Sequence, residues 1–104
     1  MAINEKITLF DEQTGAGGSQ RFDISNTEEI CGIVVNGLAA GETVDLQMAY
    51  DDPPANWQDV YEDGTKTSFS DTNTALGIYV PGTYRLYSNG VAAGATAILY
   101  KANK

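Results

Sequence analysis

The groups able to carry chemistry in this chain are carboxylates, hydroxyls and aromatic rings, because histidine is absent. That removes Ser-His-Asp and Cys-His arrangements and the usual zinc sites in one step. Two carboxylate pairs stand next to turns, Asp51 with Asp52 and Glu62 with Asp63. A glycosidase uses such a pair as acid and base, but adjacent side chains on an extended segment point to opposite faces, so neither pair converges. Calcium needs roughly six to eight oxygens, and no EF-hand-like spacing supplies them. Solvated surface loops are the expectation for both pairs. No catalytic, cofactor-binding or metal-ligating residue is assigned, no cofactor is expected, and the chain does not read as an enzyme.

Three further features invite a functional reading. Gly15, Gly17 and Gly18 lack the Gly-Lys-Ser/Thr ending of a phosphate-binding loop and no helical pattern follows, so they read as a flexible connector. Cys31 lies in the apolar run Ile30 to Val35 with no base or cation beside it, which favours a small buried hydrophobe over a reactive thiol. Trp57 and the six tyrosines could stack on sugar. Their strand-like spacing instead favours Trp57, Tyr50, Tyr84 and Tyr87 as core or oligomer-contact residues.

The elements that must position these groups are strands. At 104 residues, 42% of them hydrophobic, the chain is one domain able to build a modest core without disulfides or metal. Eleven glycines and many Thr, Val, Tyr and Asn residues favour strands joined by tight turns. Acidic residues outnumber basic ones 14 to 6, a formal charge of −8 that repels phosphate backbones, so no nucleic-acid partner is expected. A single cysteine leaves the redox compartment open. No apolar run approaches the roughly 20 residues needed to cross a bilayer, and the N-terminus lacks a basic flank with an apolar core. The expectation is a protein made and folded in the cytoplasm, with no membrane partner.

Ile3 to Phe10 alternates weakly and reads as a first strand or an arm, cut off by the Gly-rich stretch to Ser19. Residues 1–18 are therefore expected to be an arm and connector, and 19–104 a sandwich domain. Phe22 and Ile24 share a face before a Ser25-Asn26-Thr27 turn. Ile30 to Val35, apolar on both faces, is expected to be a central strand, closed by Asn36-Gly37 and Gly41. Val44, Leu46, Met48 and Tyr50 oppose Thr43, Asp45 and Gln47 in the cleanest period-two segment, which Asp51-Asp52-Pro53-Pro54 ends. Trp57 to Tyr61 resumes extended structure, Asp63-Gly64 is a hairpin turn, and Thr65 to Ser70 is a strand with Phe69 as its one large apolar residue. Ala75 to Val80 leads into Pro81-Gly82, read as a type II turn before the strand Tyr84 to Tyr87. Ser88-Asn89-Gly90 then turns into a last strand, where Ala95, Ala97 and Leu99 oppose Thr96, Ile98 and Tyr100. Roughly eight short strands at this spacing predict an all-β, antiparallel β-sandwich, Ig-like or jelly-roll-like. Pro81, Gly82 and Tyr84 would form its structural corner, the Tyr84 hydroxyl bonding nearby backbone.

The order Val44-Asp45-Leu46-Gln47-Met48-Ala49-Tyr50-Asp51-Asp52, then Asn56-Trp57-Gln58-Asp59-Val60, Asp63-Gly64 and Ile78-Tyr79-Val80-Pro81-Gly82-Thr83-Tyr84-Arg85-Leu86 resembles small β-sandwich virion proteins of tailed bacteriophages. It covers about the middle half of the chain, and its motifs are structural. The resemblance implies a capsid decoration (cement) protein on the outer capsid surface, with the major capsid protein as partner and a homo-oligomer, a trimer, as the assembly. A tail, head-fibre or adaptor module is the alternative it also allows. Ile3, Ile7, Leu9 and Phe10 would anchor the arm to a capsid subunit by strand addition. The competing class is a carbohydrate- or receptor-binding sandwich in which Trp57 and an exposed tyrosine stack on sugar.

Overall fold

Alternating apolar and polar residues dictate strands from end to end. The computed structural model describes residues 3–24, 29–51, 54–78 and 80–103. The expected Ser25-Asn26-Thr27 turn, Asp52 with Pro53, and Tyr79 lie outside them. Among the described residues there are twelve strands: β1 (Ile3–Gln13), β2 (Ala16–Gly18), β3 (Phe22–Ile24), β4 (Glu29–Asn36), β5 (Val44–Ala49), β6 (Trp57–Asp59), β7 (Tyr61–Glu62), β8 (Thr65–Lys66), β9 (Ser68–Phe69), β10 (Ala75–Ile78), β11 (Gly82–Asn89) and β12 (Ala95–Asn103).

They form two antiparallel sheets. The first runs β1-β12-β4-β10; the second runs β2-β11-β5-β6, with β3 also paired to β11 and β9 to β5. Leu9, Ile33, Val35, Ala97 and Leu99 of the first sheet meet Phe22, Val44, Leu46, Phe69 and Leu86 of the second in one hydrophobic core. The fold is an all-β sandwich. The apolar run at Ile30 to Val35 is central, as its two-sided hydrophobicity predicts, because β4 lies between β12 and β10 and Cys31 is buried. Asp63 and Gly64 both adopt positive φ, 51° and 79°, closing the β7–β8 hairpin as a type I′ turn.

The N-terminal segment departs from its expectation. β1 pairs with β12 from Ile3 opposite Ala102 to Gln13 opposite Ala95, with register shifts on the way. One shift lies between Thr8 and Phe10, so the successive residues Leu9 and Phe10 both turn inward, 7% and 4% exposed. Such a bulge hides the strand from any period-two reading, which is why the alternation looks weak in sequence. The Gly-rich stretch is likewise a strand and no connector: Ala16 to Gly18 pair with Tyr87 to Asn89. The Gly15 N–H donates to the Val91 carbonyl at 2.9 Å, and the Gly15 carbonyl accepts the Ser88 hydroxyl at 3.0 Å. Residues 3–18 therefore supply an edge to each sheet and pack with the rest of the described sandwich. Leu9 and Phe10 are core residues, Ile7 packs against the core, and the Ile3 side chain lies outside the described part.

The Pro81-Gly82 turn is also corrected. β10 belongs to one sheet and β11 to the other, so this stretch is a crossing between sheets and no hairpin. Gly82 starts β11 opposite Ile24 without the positive φ of a type II turn. Its missing side chain serves packing, since a Cβ there would lie 2.8 Å from the Met48 methyl. The corner itself is present: the Tyr84 hydroxyl donates to the Val80 carbonyl at 2.7 Å, and its ring stacks on Phe22 at 5.9 Å. Burial raises the Tyr84 pKa above its ordinary value. Tyr84→Phe removes one partly buried hydrogen bond, about 0.5–1.5 kcal/mol, and is expected to lower the thermal midpoint by several degrees while the fold persists. An unchanged midpoint in a thermal melt would remove the locking role.

Candidate functional site

Of the carboxylates singled out by sequence, Asp52 lies outside the described residues, and Asp51, Glu62 and Asp63 hold no metal-like cluster. Asp51 caps its own loop, accepting the N–H groups of Ala55 at 3.0 Å and Asn56 at 3.3 Å, and the Ala55 N–H is the main cause of its lowered pKa. Glu62 and Asp63 are exposed at the β7–β8 hairpin. Glu42, which sequence reading passed over, ties two sheet crossings together by accepting the N–H of Ala39 at 2.8 Å and of Ala92 at 2.9 Å, which lowers its pKa. Among the described residues no group of three or more His, Cys, Asp or Glu is placed to hold a metal.

The side chains that do assemble lie on the two outer faces of the sandwich. In the second sheet, register puts Asp45, Gln47, Trp57, Asp59, Ser68, Thr83, Arg85, Tyr87 and Asn89 outward, opposite the buried positions of the same strands. All but Thr83 are linked by hydrogen bonds, ion pairs or ring contacts. Arg85 lies over Trp57 at 4.7 Å and near Tyr87 at 5.5 Å, and its Nε donates to Gln47 Oε1 at 2.7 Å. Gln47 Nε2 donates to Asp59 at 3.1 Å, and Lys66 bridges Asp59 at 3.4 Å and Asp45 at 3.7 Å. The nearly buried Asp45 also accepts the Ser68 hydroxyl and, at 2.9 Å, the Asn89 amide. Asp45 and then Asp59 raise the Lys66 pKa, so this amine stays protonated and donates rather than abstracting protons. What the face offers is stacking and hydrogen bonding.

The core half of the expectation for these aromatics, which named core or oligomer-contact roles, holds for Tyr84. Of Trp57, Tyr50, Tyr84 and Tyr87, Tyr84 alone is buried. Tyr50 stands beyond the end of β5, 70% exposed, and Trp57 with Tyr87 clamps Arg85 on the outer face. The signal for Arg85 was available, since Thr83, Arg85 and Tyr87 alternate with the apolar Tyr84 and Leu86.

The outer face of the first sheet has the opposite chemistry. Register directs Lys6 and Thr8 of β1, Thr96, Ile98 and Tyr100 of β12, Gly32 and Val34 of β4, and Ala75 and Gly77 of β10 outward. Among the described side chains at these positions Lys6 is the only charged one. Tyr100 lies across Gly32, where a Cβ would collide with its ring, which flattens the face around its half-buried apolar centre of Val34, Ile98 and Tyr100. A chain with 14 carboxylates thus leaves one broad face without any at these positions.

Comparison with protein-family models, curated proteins and solved structures returns no match. The class defined by fold and surface chemistry is an acidic antiparallel β-sandwich with one networked polar face and one face on which Lys6 is the single charge at the described register positions.

Proposed function

We propose that the protein is a non-enzymatic virion structural protein of a tailed bacteriophage, a decoration protein bound to the outer capsid surface. The observation that carries this reading is the outer face of the first sheet, where Lys6 is the one charged residue at the described register positions and Val34, Ile98, Tyr100, Gly32 and Ala75 lie together, on a chain of charge −8. An apolar patch bounded by charge marks a protein contact, and the acidic remainder keeps the subunit soluble before assembly. The resemblance of Val44 to Leu86 to phage sandwich proteins supports the same reading. Attachment then runs through a sheet face, with Ile98 near its centre. A homo-oligomer on the capsid remains part of the proposal.

The test mixes purified protein with capsids that lack it and counts the copies retained. Ile98→Asp buries a carboxylate in the contact and is expected to lower binding about tenfold or more, since burying an unpaired charge costs well over 1.4 kcal/mol. Its melting temperature should stay close to that of the parent. Trp57→Ala, on the other face, is the control. Retained binding by Ile98→Asp with loss by Trp57→Ala would move the contact to the polar face. The second reading, a carbohydrate- or receptor-binding module, is supported by the Trp57–Arg85–Tyr87 cluster and predicts instead no capsid binding by the parent protein, with glycan-array signal that Trp57→Ala abolishes.

A further inference from the structure

The two sheets part along the side where β10 faces the β7–β8 hairpin. A groove of about 250 Å³ opens there, floored by Leu46, Val60, Leu76 and Tyr84. Tyr61 and Val80, 60% and 62% exposed, stand on its rim and are two of the three most exposed large hydrophobic residues described. Apolar side chains kept in water beside a groove that reaches the core are a liability unless something covers them.

Among the described residues, the strand bordering the groove has one edge with no strand beside it. β10 ends its sheet, paired with β4 on one side. The Thr74 carbonyl accepts the Val35 N–H at 2.8 Å, so alternation turns the N–H and C=O groups of Ala75 and Gly77 away from β4. Exposed edges are usually blunted by charge, proline or bulges. The opposite edge follows that rule, since β1 carries register shifts together with Glu5, Lys6, Asp11 and Glu12. β10 pairs in unbroken register with β4, from Ala75 opposite Val34 to Ile78 opposite Cys31, and contains no charge and no proline.

We propose that the β10 edge and its groove form a strand-addition site for an extended, apolar and basic segment of a partner protein. The added strand exchanges backbone hydrogen bonds with Ala75 and Gly77, and alternate apolar side chains enter the groove against Leu76, Val80 and Tyr61. Charge selects this occupant. Glu62 is the one charged residue lining the groove, and the chain as a whole carries −8, so a lysine or arginine is attracted. A second copy would bring Glu62 against its own equivalent and is disfavoured. The inference stands apart from the capsid reading, because it concerns a different edge and a peptide rather than a sheet face.

The probe is the peptide Lys-Val-Thr-Leu-Thr-Val-Lys, titrated into the isotope-labelled full chain and followed by amide resonances and hydrogen exchange. Saturable shifts confined to Tyr61, Val80 and residues 74–77, with slowed exchange at Ala75 and Gly77, are expected. Ala75→Pro deletes one outward N–H while sparing the bonds to β4, and should weaken binding about tenfold. If that variant does not fold, Val80→Lys, on the exposed rim, removes an apolar contact and repels the basic segment, and should weaken binding by the same factor. Absence of shifts at residues 75 and 77 at about 1 mM peptide, or equal affinity of the folded variant, overturns the proposal. So does a peptide-free dimer whose contact maps to β10, which would assign the edge to a second copy.

Discussion

Deleting residues 2–18 is expected to unfold the protein. β1 forms one edge of the first sheet and β2 one edge of the second. Their loss removes Leu9 and Phe10 from the core and uncovers Ala97 and Leu99, which are fully buried. Large-to-small changes at buried Leu or Phe each cost about 2–5 kcal/mol, and here both side chains go together with the ladder from Ile3 to Gln13. A domain of this size holds about 5–15 kcal/mol in total. The truncated chain should therefore show no cooperative thermal transition and no near-ultraviolet circular dichroism from packed aromatics. A truncation that melts cooperatively while failing to bind its partner would restore the picture of a detachable arm.

Phe69→Ala is expected to be the most damaging single truncation of a side chain. β9 is two residues long, yet Phe69 is 0% exposed and lies opposite Val44 on the second sheet's inner face, within the hydrophobic core. Phe→Ala in a packed core costs about 3–5 kcal/mol, part of it for the cavity left behind. With roughly 4 °C or more of midpoint per kcal/mol at this length, the melting temperature should fall by about 12 °C or more. A shift of only a few degrees would mean that the groove beside β10 collapses to fill the space. Leu46 reaches both that groove and the core, so it is the side chain that would have to move.

Features whose cause is local were readable from the chain. The inward faces of Val44 with Leu46 and of Ala95, Ala97 and Leu99 appear as predicted, and the run at Ile30 to Val35 is a central strand, while Tyr50, expected on the Val44 face, is exposed. The Asp63-Gly64 turn follows because both residues accept positive φ. The Tyr84 corner also needed only a tyrosine close in sequence to the carbonyl it bonds, four residues back. The misreadings share one origin, which is dependence on partners far away in the chain. The bulge that turns Leu9 and Phe10 inward exists only against β12, nearly ninety residues on. Gly82 looked like a turn residue because nothing local reveals that β10 and β11 go to different sheets.

The candidate surfaces lie wholly on that second side of the division. Trp57, Arg85, Gln47, Asp45 and Lys66 are scattered through the sequence and meet because β5, β6 and β11 are neighbours in one sheet, with Lys66 on the adjoining hairpin. Lys6, Val34, Ala75, Ile98 and Tyr100 share the opposite face for the same reason. Amino-acid order by itself determined that this chain would be strands with a buried and an exposed side, since side-chain alternation is set within each strand. Strand pairing alone decided which exposed sides lie together, and with them which face is charged, which is bare and which edge stays open.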